Sequence, residues 1–180
     1  MVFKKLPIAA TPLGFWKAFS SLKGLPGGAK AQNKFTQALS SSINRKYLFF
    51  FNSGLASFFI ILKMLQETSS RKEVILPAYT APSLVVAVKK AGLIPVLCDI
   101  SLDDFNVDFV SLSHLVTEKT LCILGVHMFG IVSTGLSDLK KRFPDVFIIE
   151  DCAQSMGSKL DGITIGALSD ISFFSFNRGK

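Results

Sequence analysis

Between Glu73 and Ile100 the chain reads "EVILPAYTAPSLVVAVKKAGLIPVLCDI". A five-residue apolar run, "EVILP", is followed by a turn, then by "PSLVVAVKKAG", whose apolar positions recur at helical spacing and which opens on Pro82 and closes on Gly92. A second short apolar run, "IPVLCDI", comes directly after it. Strand, helix, strand in so few residues is the unit of a parallel sheet, because parallel neighbours need a crossover and a helix supplies it.

The same alternation extends in both directions. Upstream, "AKAQNKFTQALSSSIN" (Ala29 to Asn44) reads as a helix after the Pro26-Gly27-Gly28 turn, "KYLFFF" as a strand and "GLASFFIILKMLQE" as a helix. Downstream come "DFVSLSHLV" helix, "TLCILGVH" strand, "STGLSDLKKRF" helix and "VFIIED" strand. "SKLDGITIG" then places Asp161-Gly162 between two short extended runs, a hairpin signature, and "DISFFSF" is a last strand. The expectation is an α/β domain with a mostly parallel sheet and helices on both faces, over residues 29–180, preceded by an N-terminal segment, 1–28.

The bulk numbers bound the function. The chain has 180 residues and a net charge of +7. Its basic residues, such as Arg71-Lys72, Lys89-Lys90 and Lys140-Lys141-Arg142, sit at the ends of apolar segments rather than on one face, which argues against a nucleic-acid surface. Cys98, Cys122 and Cys152 form no C-x-x-C pair, so neither a zinc site nor a disulfide framework is expected, and a reducing cytoplasm fits. "YLFFFNSGLASFFIILKML" (Tyr47 to Leu65) has the length of a bilayer span, but Asn52, Ser53, Gly54 and Ser57 break its middle. Apolar residues, with glycine counted and tyrosine left out, make up roughly 55% against a usual 45–50%. That excess is more than a domain of this size needs and is expected to face further protein.

In an open parallel sheet ligands collect beyond the carboxyl ends of the strands. Three features lie at such positions. "FFFNSGLAS" puts the free amides of Gly54, Leu55 and Ala56 at a helix N-terminus, an anion seat suited to phosphate, although Ser53 also reads as an ordinary cap. Asp151 ends the buried run "VFIIED", where a carboxylate needs a cation or several donors. Lys180 follows the last strand. Pyridoxal phosphate requires that triple: an anion site, a carboxylate to keep its ring nitrogen protonated, and a lysine amine to hold its aldehyde.

The motifs resemble those of the DegT/DnrJ/StrS sugar aminotransferases, pyridoxal-phosphate enzymes of fold type I, the aspartate-aminotransferase fold. "NSGLAS" is similar to the family's S-G-T-A turn, "PAYT" to its P-x-Y-T segment, and "HMFG" to its H-x-[YF]-G. "IEDCAQSMGS" matches E-D-x-A-Q-x-x-G, and "FFSFNRGK" matches S-F-x-x-x-K. The resemblance implies that Lys180 is the Schiff-base lysine, Asp151 the partner of the pyridine nitrogen, and Gln154 a neighbour of the ring's phenolic oxygen. It implies that Ser175 donates to the phosphate beside the Leu55 and Ala56 amides, and that His127 lies at the floor of the site or is a buried, hydrogen-bonded histidine. Two positions depart from the pattern: Leu55 replaces the threonine of S-G-T-A, and Ala81 stands where the family stacks an aromatic on the cofactor, a place Tyr79 or Phe129 would have to fill.

By the same resemblance the chain is expected to be the first part of the large domain, truncated before the remaining sheet and the smaller C-terminal domain, and inactive alone. The implied activity of the full-length protein is transfer of an amino group from glutamate or glutamine to a keto group on a nucleotide-linked sugar, by a homodimer. Members that dehydrate the sugar carry histidine in place of the lysine. A non-catalytic remnant that binds a partner is the alternative.

Overall fold

The structure is a computed structural model and describes residues 28–176. Of the expected N-terminal segment, residues 1–27 lie outside the described residues and Gly28 opens the first helix; Lys180 also lies outside them. In chain order the elements are α1 (Gly28–Ile43), α2 (Gly54–Thr68), β1 (Glu73–Pro77), α3 (Pro82–Lys90), β2 (Ile94–Cys98), α4 (Phe109–Leu115) and β3 (Thr120–Val126). A 3₁₀ turn at Met128–Gly130 follows, then α5 (Leu136–Arg142), β4 (Phe147–Asp151), the short β5 (Lys159–Leu160) and β6 (Ile163–Thr164), and β7 (Ile171–Phe173).

Five strands form one sheet in the order β2-β1-β3-β4-β7, and every pairing in it is parallel. Strand alternation distributes its side chains to two cores. On one face Val74, Leu76, Cys122, Leu124 and Ile149 pack with Phe58 and Leu62 of α2 and Leu84 and Val88 of α3. On the other, Ile75, Ile123 and Ile148 meet Leu112 of α4 and Leu136 and Leu139 of α5. Helices therefore cover both faces, and the central strands are apolar at nearly every position for that reason. Gly125 in β3 marks the closest approach: a Cβ there would lie 2.3 Å from Leu136 Cδ2. The Asp161-Gly162 pair turns β5 into antiparallel β6, with φ of 48° and 82°.

One expectation needs correction. "KYLFFF" is not a strand: Tyr47–Phe51 belongs to no described sheet, and a groove of about 1210 Å³ separates it from the edge strand β7. Aromatic composition favours extended backbone, but a strand also needs a neighbour within ladder distance, and here β7 lies across the groove. Phe49 is 77% exposed on its rim. The Tyr47–Leu65 stretch is likewise divided between this extended segment and α2, and no described helix is long and apolar enough to cross a membrane.

Candidate active site

The carboxyl ends of β3, β4 and β7 and the start of α2 converge at one end of the sheet. Ser53 caps α2 with its hydroxyl, which accepts from the Ala56 amide at 3.1 Å. The cap reading of this segment therefore holds, and the Ala56 amide, expected in the anion seat, is engaged by Ser53. The amides of Gly54 and Leu55 still open the helix, as first-turn amides without an intrahelical acceptor. Gly54 is pressed against the chain leaving β7: a Cβ on it would lie 3.2 Å from the Phe174 carbonyl oxygen and 3.3 Å from Ser175 Cβ. The fold thus brings Ser175 to the start of α2 across more than a hundred residues of sequence, and the absent side chain at Gly54 allows the contact.

Asp151 closes β4 and is 7% exposed. The Ala153 amide donates to its Oδ1 at 2.9 Å, fixing one oxygen. Gln154 lies in the turn that follows, and its Oε1 accepts from the Phe129 amide at 3.0 Å. With the oxygen held, the amide nitrogen of Gln154 is left as the donor end of the side chain. Ala81 stands at the start of α3 beyond β1, with β3 between that strand and β4.

His127 is fully buried. The Ser133 amide donates to its Nδ1 at 3.1 Å, so the ring carries its proton on Nε2 and donates it to Glu150 Oε2, also at 3.1 Å. Both ring nitrogens are occupied within the protein. Glu150, likewise without exposed surface, also accepts from the Gly166 and Leu168 amides at 2.9 Å and from Ser169 Oγ at 2.8 Å. Burial pushes its carboxyl up, but the hydrogen bonds from His127, Gly166 and Ser169 outweigh burial and hold it below the usual range. Arg45 grips the same loop from outside, donating to the carbonyls of Gly166 and Ser169.

His127, Glu150 and Cys152 have ligand atoms within 4.8 Å of one another, the composition of a metal site. Both His127 nitrogens and both Glu150 oxygens are already engaged in hydrogen bonds, and burial raises the Cys152 thiol further from the thiolate a metal needs. Burial also lifts Cys98 to about 11 and Cys122 to about 12. None of the three is poised as a nucleophile.

Sequence reasoning overlooked Glu150 and Asn106. Asn106 is buried after β2; its Oδ1 accepts from the Met128 amide at 3.1 Å and its Nδ2 donates to the Ile131 carbonyl at 3.4 Å, so it clips two strand-end loops together. The "IED" placement of Glu150 one residue before Asp151 was the available signal for the first; nothing in "FNVD" announces the second.

Residues 24–180 match the DegT/DnrJ/EryC1/StrS aminotransferase family. The chain belongs to it. Among curated relatives it is 28% identical over 144 residues to the dTDP-3-amino-3,6-dideoxy-alpha-D-galactopyranose transaminase of Aneurinibacillus thermoaerophilus, a match covering 79% of this chain and 39% of that protein. It is 30% identical over 149 residues to the GDP-perosamine synthase of Escherichia coli O157:H7, covering 82% of this chain and 40% of the relative. Among solved structures, Spr1654 from Streptococcus pneumoniae in its PLP form superposes with a TM-score of 0.72 at 29% identity, over 82% of this chain and 41% of that one. The chain therefore spans about two fifths of the length of the relatives it matches.

Proposed function

We propose that the full-length protein is a pyridoxal-phosphate-dependent aminotransferase that moves an amino group from glutamate or glutamine to a keto group of a nucleotide-linked sugar. The observation that carries this reading is the convergence of Gly54, Leu55 and Ser175 on one side and Asp151 and Gln154 on the other, at adjoining strand ends. The donor set fits the cofactor. Amides and a hydroxyl suit its phosphate, a buried carboxylate its ring nitrogen, and an amide nitrogen its phenolic oxygen.

When bound, pyridoxal phosphate supplies an electron sink for the carbon that loses or gains a proton. The chain's own residues do the rest. Asp151 holds the proton on the ring nitrogen, and the Ala153 amide keeps that carboxylate in one orientation. Leu55 leaves the phosphate without the family's threonine hydroxyl, so backbone donors and Ser175 carry it. His127 acts as a positioning residue: with both nitrogens engaged, it ties the turn after β3 to Glu150 and so to the strand bearing Asp151. The Lys180 amine would hold the cofactor's aldehyde as an imine with loss of water, and, once freed, would carry the proton at the substrate carbon. A second copy of the full-length protein completes a homodimeric site.

Borohydride reduction of the full-length protein after cofactor addition tests the assignment. The peptide containing Lys180 should be labelled, and Lys180→Ala should abolish both the label and transamination. Label on Lys63, Lys89 or Lys159, or label persisting in the alanine variant, refutes it.

A further inference from the structure

Tyr79, Phe105 and Phe129 come from three different strand-end loops and meet as a cluster. Ring centroids lie 6.3 Å apart for Tyr79 with each phenylalanine and 5.7 Å for Phe105 with Phe129, the last pair edge-to-face. The three rings belong to neither core of the described residues and stand 52%, 39% and 59% exposed at the strand ends. Nor are the rings needed to fix the loops, because Asn106 already clips the loop after β2 to the turn after β3 through backbone groups.

Both phenylalanines also sit in left-handed backbone, with φ of 60° at Phe105 and 56° at Phe129. Bulky residues are outliers there, and such strain persists where the surroundings over-determine it and tends to mark functional sites. Asparagine or glycine would suit either position better. Two phenylalanines held in unfavourable backbone, partly exposed, and in contact with each other and with Tyr79 make a contact surface rather than a core.

The position of the platform identifies its ligand. It lies toward β2 and β1, on the opposite side of Asp151 from Gly54 and Ser175, and it touches the site directly because the Phe129 amide holds Gln154. Resting on the function proposed above, we infer that Tyr79, Phe105 and Phe129 form the surface against which the hexose ring of the nucleotide-linked sugar lies, its apolar C–H face on the aromatic rings. The hexose bears the reacting keto carbon, whereas the nucleobase is separated from that carbon by a diphosphate. A platform bonded to Gln154 is therefore within reach of the first and remote from the second. Aromatic faces pair an apolar body with tolerance for the hydroxyls at a sugar's edge, and rigid rings lose little freedom on binding.

The test uses the full-length protein loaded with pyridoxal phosphate and a panel of dTDP-, UDP- and GDP-hexoses that lack a keto group. Saturation-transfer NMR should place strong contacts on the hexose ring protons. Phe105→Asn, which suits the left-handed backbone and so keeps the loop, should weaken nucleotide-hexose binding on the order of 10-fold while leaving binding of the free nucleoside diphosphate unchanged. Tyr79→Leu, in an adjacent loop, should show the same selective loss, which guards against a folding effect of either variant. Cofactor absorbance in the wild type reports the functional reading separately. A wild type that takes no cofactor overturns both conclusions. A protein that takes the cofactor but binds no nucleotide-hexose, binds it unchanged in the variants, or loses the free nucleoside diphosphate in parallel overturns the platform alone.

Discussion

Glu150→Gln should loosen the loop from Gly166 to Ser169 and leave the sheet in place. In the wild type the carboxylate accepts four hydrogen bonds: His127 Nε2 and the Gly166 amide on Oε2, the Leu168 amide and Ser169 Oγ on Oε1. Glutamine offers one oxygen and two N–H donors. If its nitrogen replaces Oε2 it meets His127 and Gly166, and His127 cannot shift its proton because the Ser133 amide already points at Nδ1. If the nitrogen replaces Oε1, Ser169 can turn to accept, since its hydroxyl also bonds the Ile171 carbonyl, but the Leu168 amide is orphaned. The better of the two arrangements leaves the part-buried Leu168 amide unpaired, about 1–3 kcal/mol, and removes charge assistance from the bonds that remain, so the loss should total about 2–4 kcal/mol. Native-state hydrogen exchange reads this locally: the Gly166 and Leu168 amides should exchange roughly 30- to 1000-fold faster. Because hydrogen bonding holds the folded Glu150 carboxyl below its usual range, its contribution is present above about pH 4.3 and is lost as pH falls through the folded value. Glutamine does not titrate there, so the gap between the two proteins should narrow in acid. Equal exchange rates at neutral pH would refute the reasoning.

Asp151→Asn should preserve the fold but remove the ionic partner of the ring nitrogen, costing at least ~3 kcal/mol of barrier, or on the order of 100-fold in transamination by the full-length protein; near-normal turnover would contradict the role. Gly125→Ala should destabilise by about 1–3 kcal/mol in urea unfolding, because its Cβ collides with fully buried Leu136, and Gly125→Ala with Leu136→Val should cost less than the two changes summed. The buried thiols of Cys98, Cys122 and Cys152 should resist alkylation at about pH 8 in the native protein and react after unfolding in urea; rapid native labelling would show that the sheet opens there.

The fold was legible because a parallel sheet covered on both faces writes itself as short, uninterrupted apolar runs, and "EVILP", "TLCILGV" and "FIIED" are such runs. "KYLFFF" has the same composition and is not a strand. What distinguishes it is whether a neighbour lies within ladder distance, and that is a property of the assembled sheet. The positions of the proposed site residues were legible: Asp151 follows a strand, and Gly54 opens a helix after a polar turn. The capture of the Ala56 amide by Ser53 was visible only as one of two readings of the same turn.

The dipeptide Glu150-Asp151 shows where legibility ends. Both are carboxylates at the end of one strand, and a sequence argument about the cost of burying charge applies to either. The alternation along β4 separates them: Ile149 belongs to the core under α2 and α3 and Ile148 to the core under α4 and α5, so Glu150 falls on the second side and Asp151 on the first. The first side carries the start of α2, whose Gly54 and Leu55 amides form the proposed anion seat. The second carries the turn from His127 to Ser133 and the loop at Gly166, whose donors Glu150 collects. Glu150 is the more deeply buried of the two, and its surroundings spend it on holding loops, while Asp151 keeps 7% exposure at the end of β4. On the function proposed above, chemistry and scaffold are divided between neighbouring residues by the two-residue period of a strand, a division that depends on which helices cover which face and that no spacing of motifs along the chain encodes.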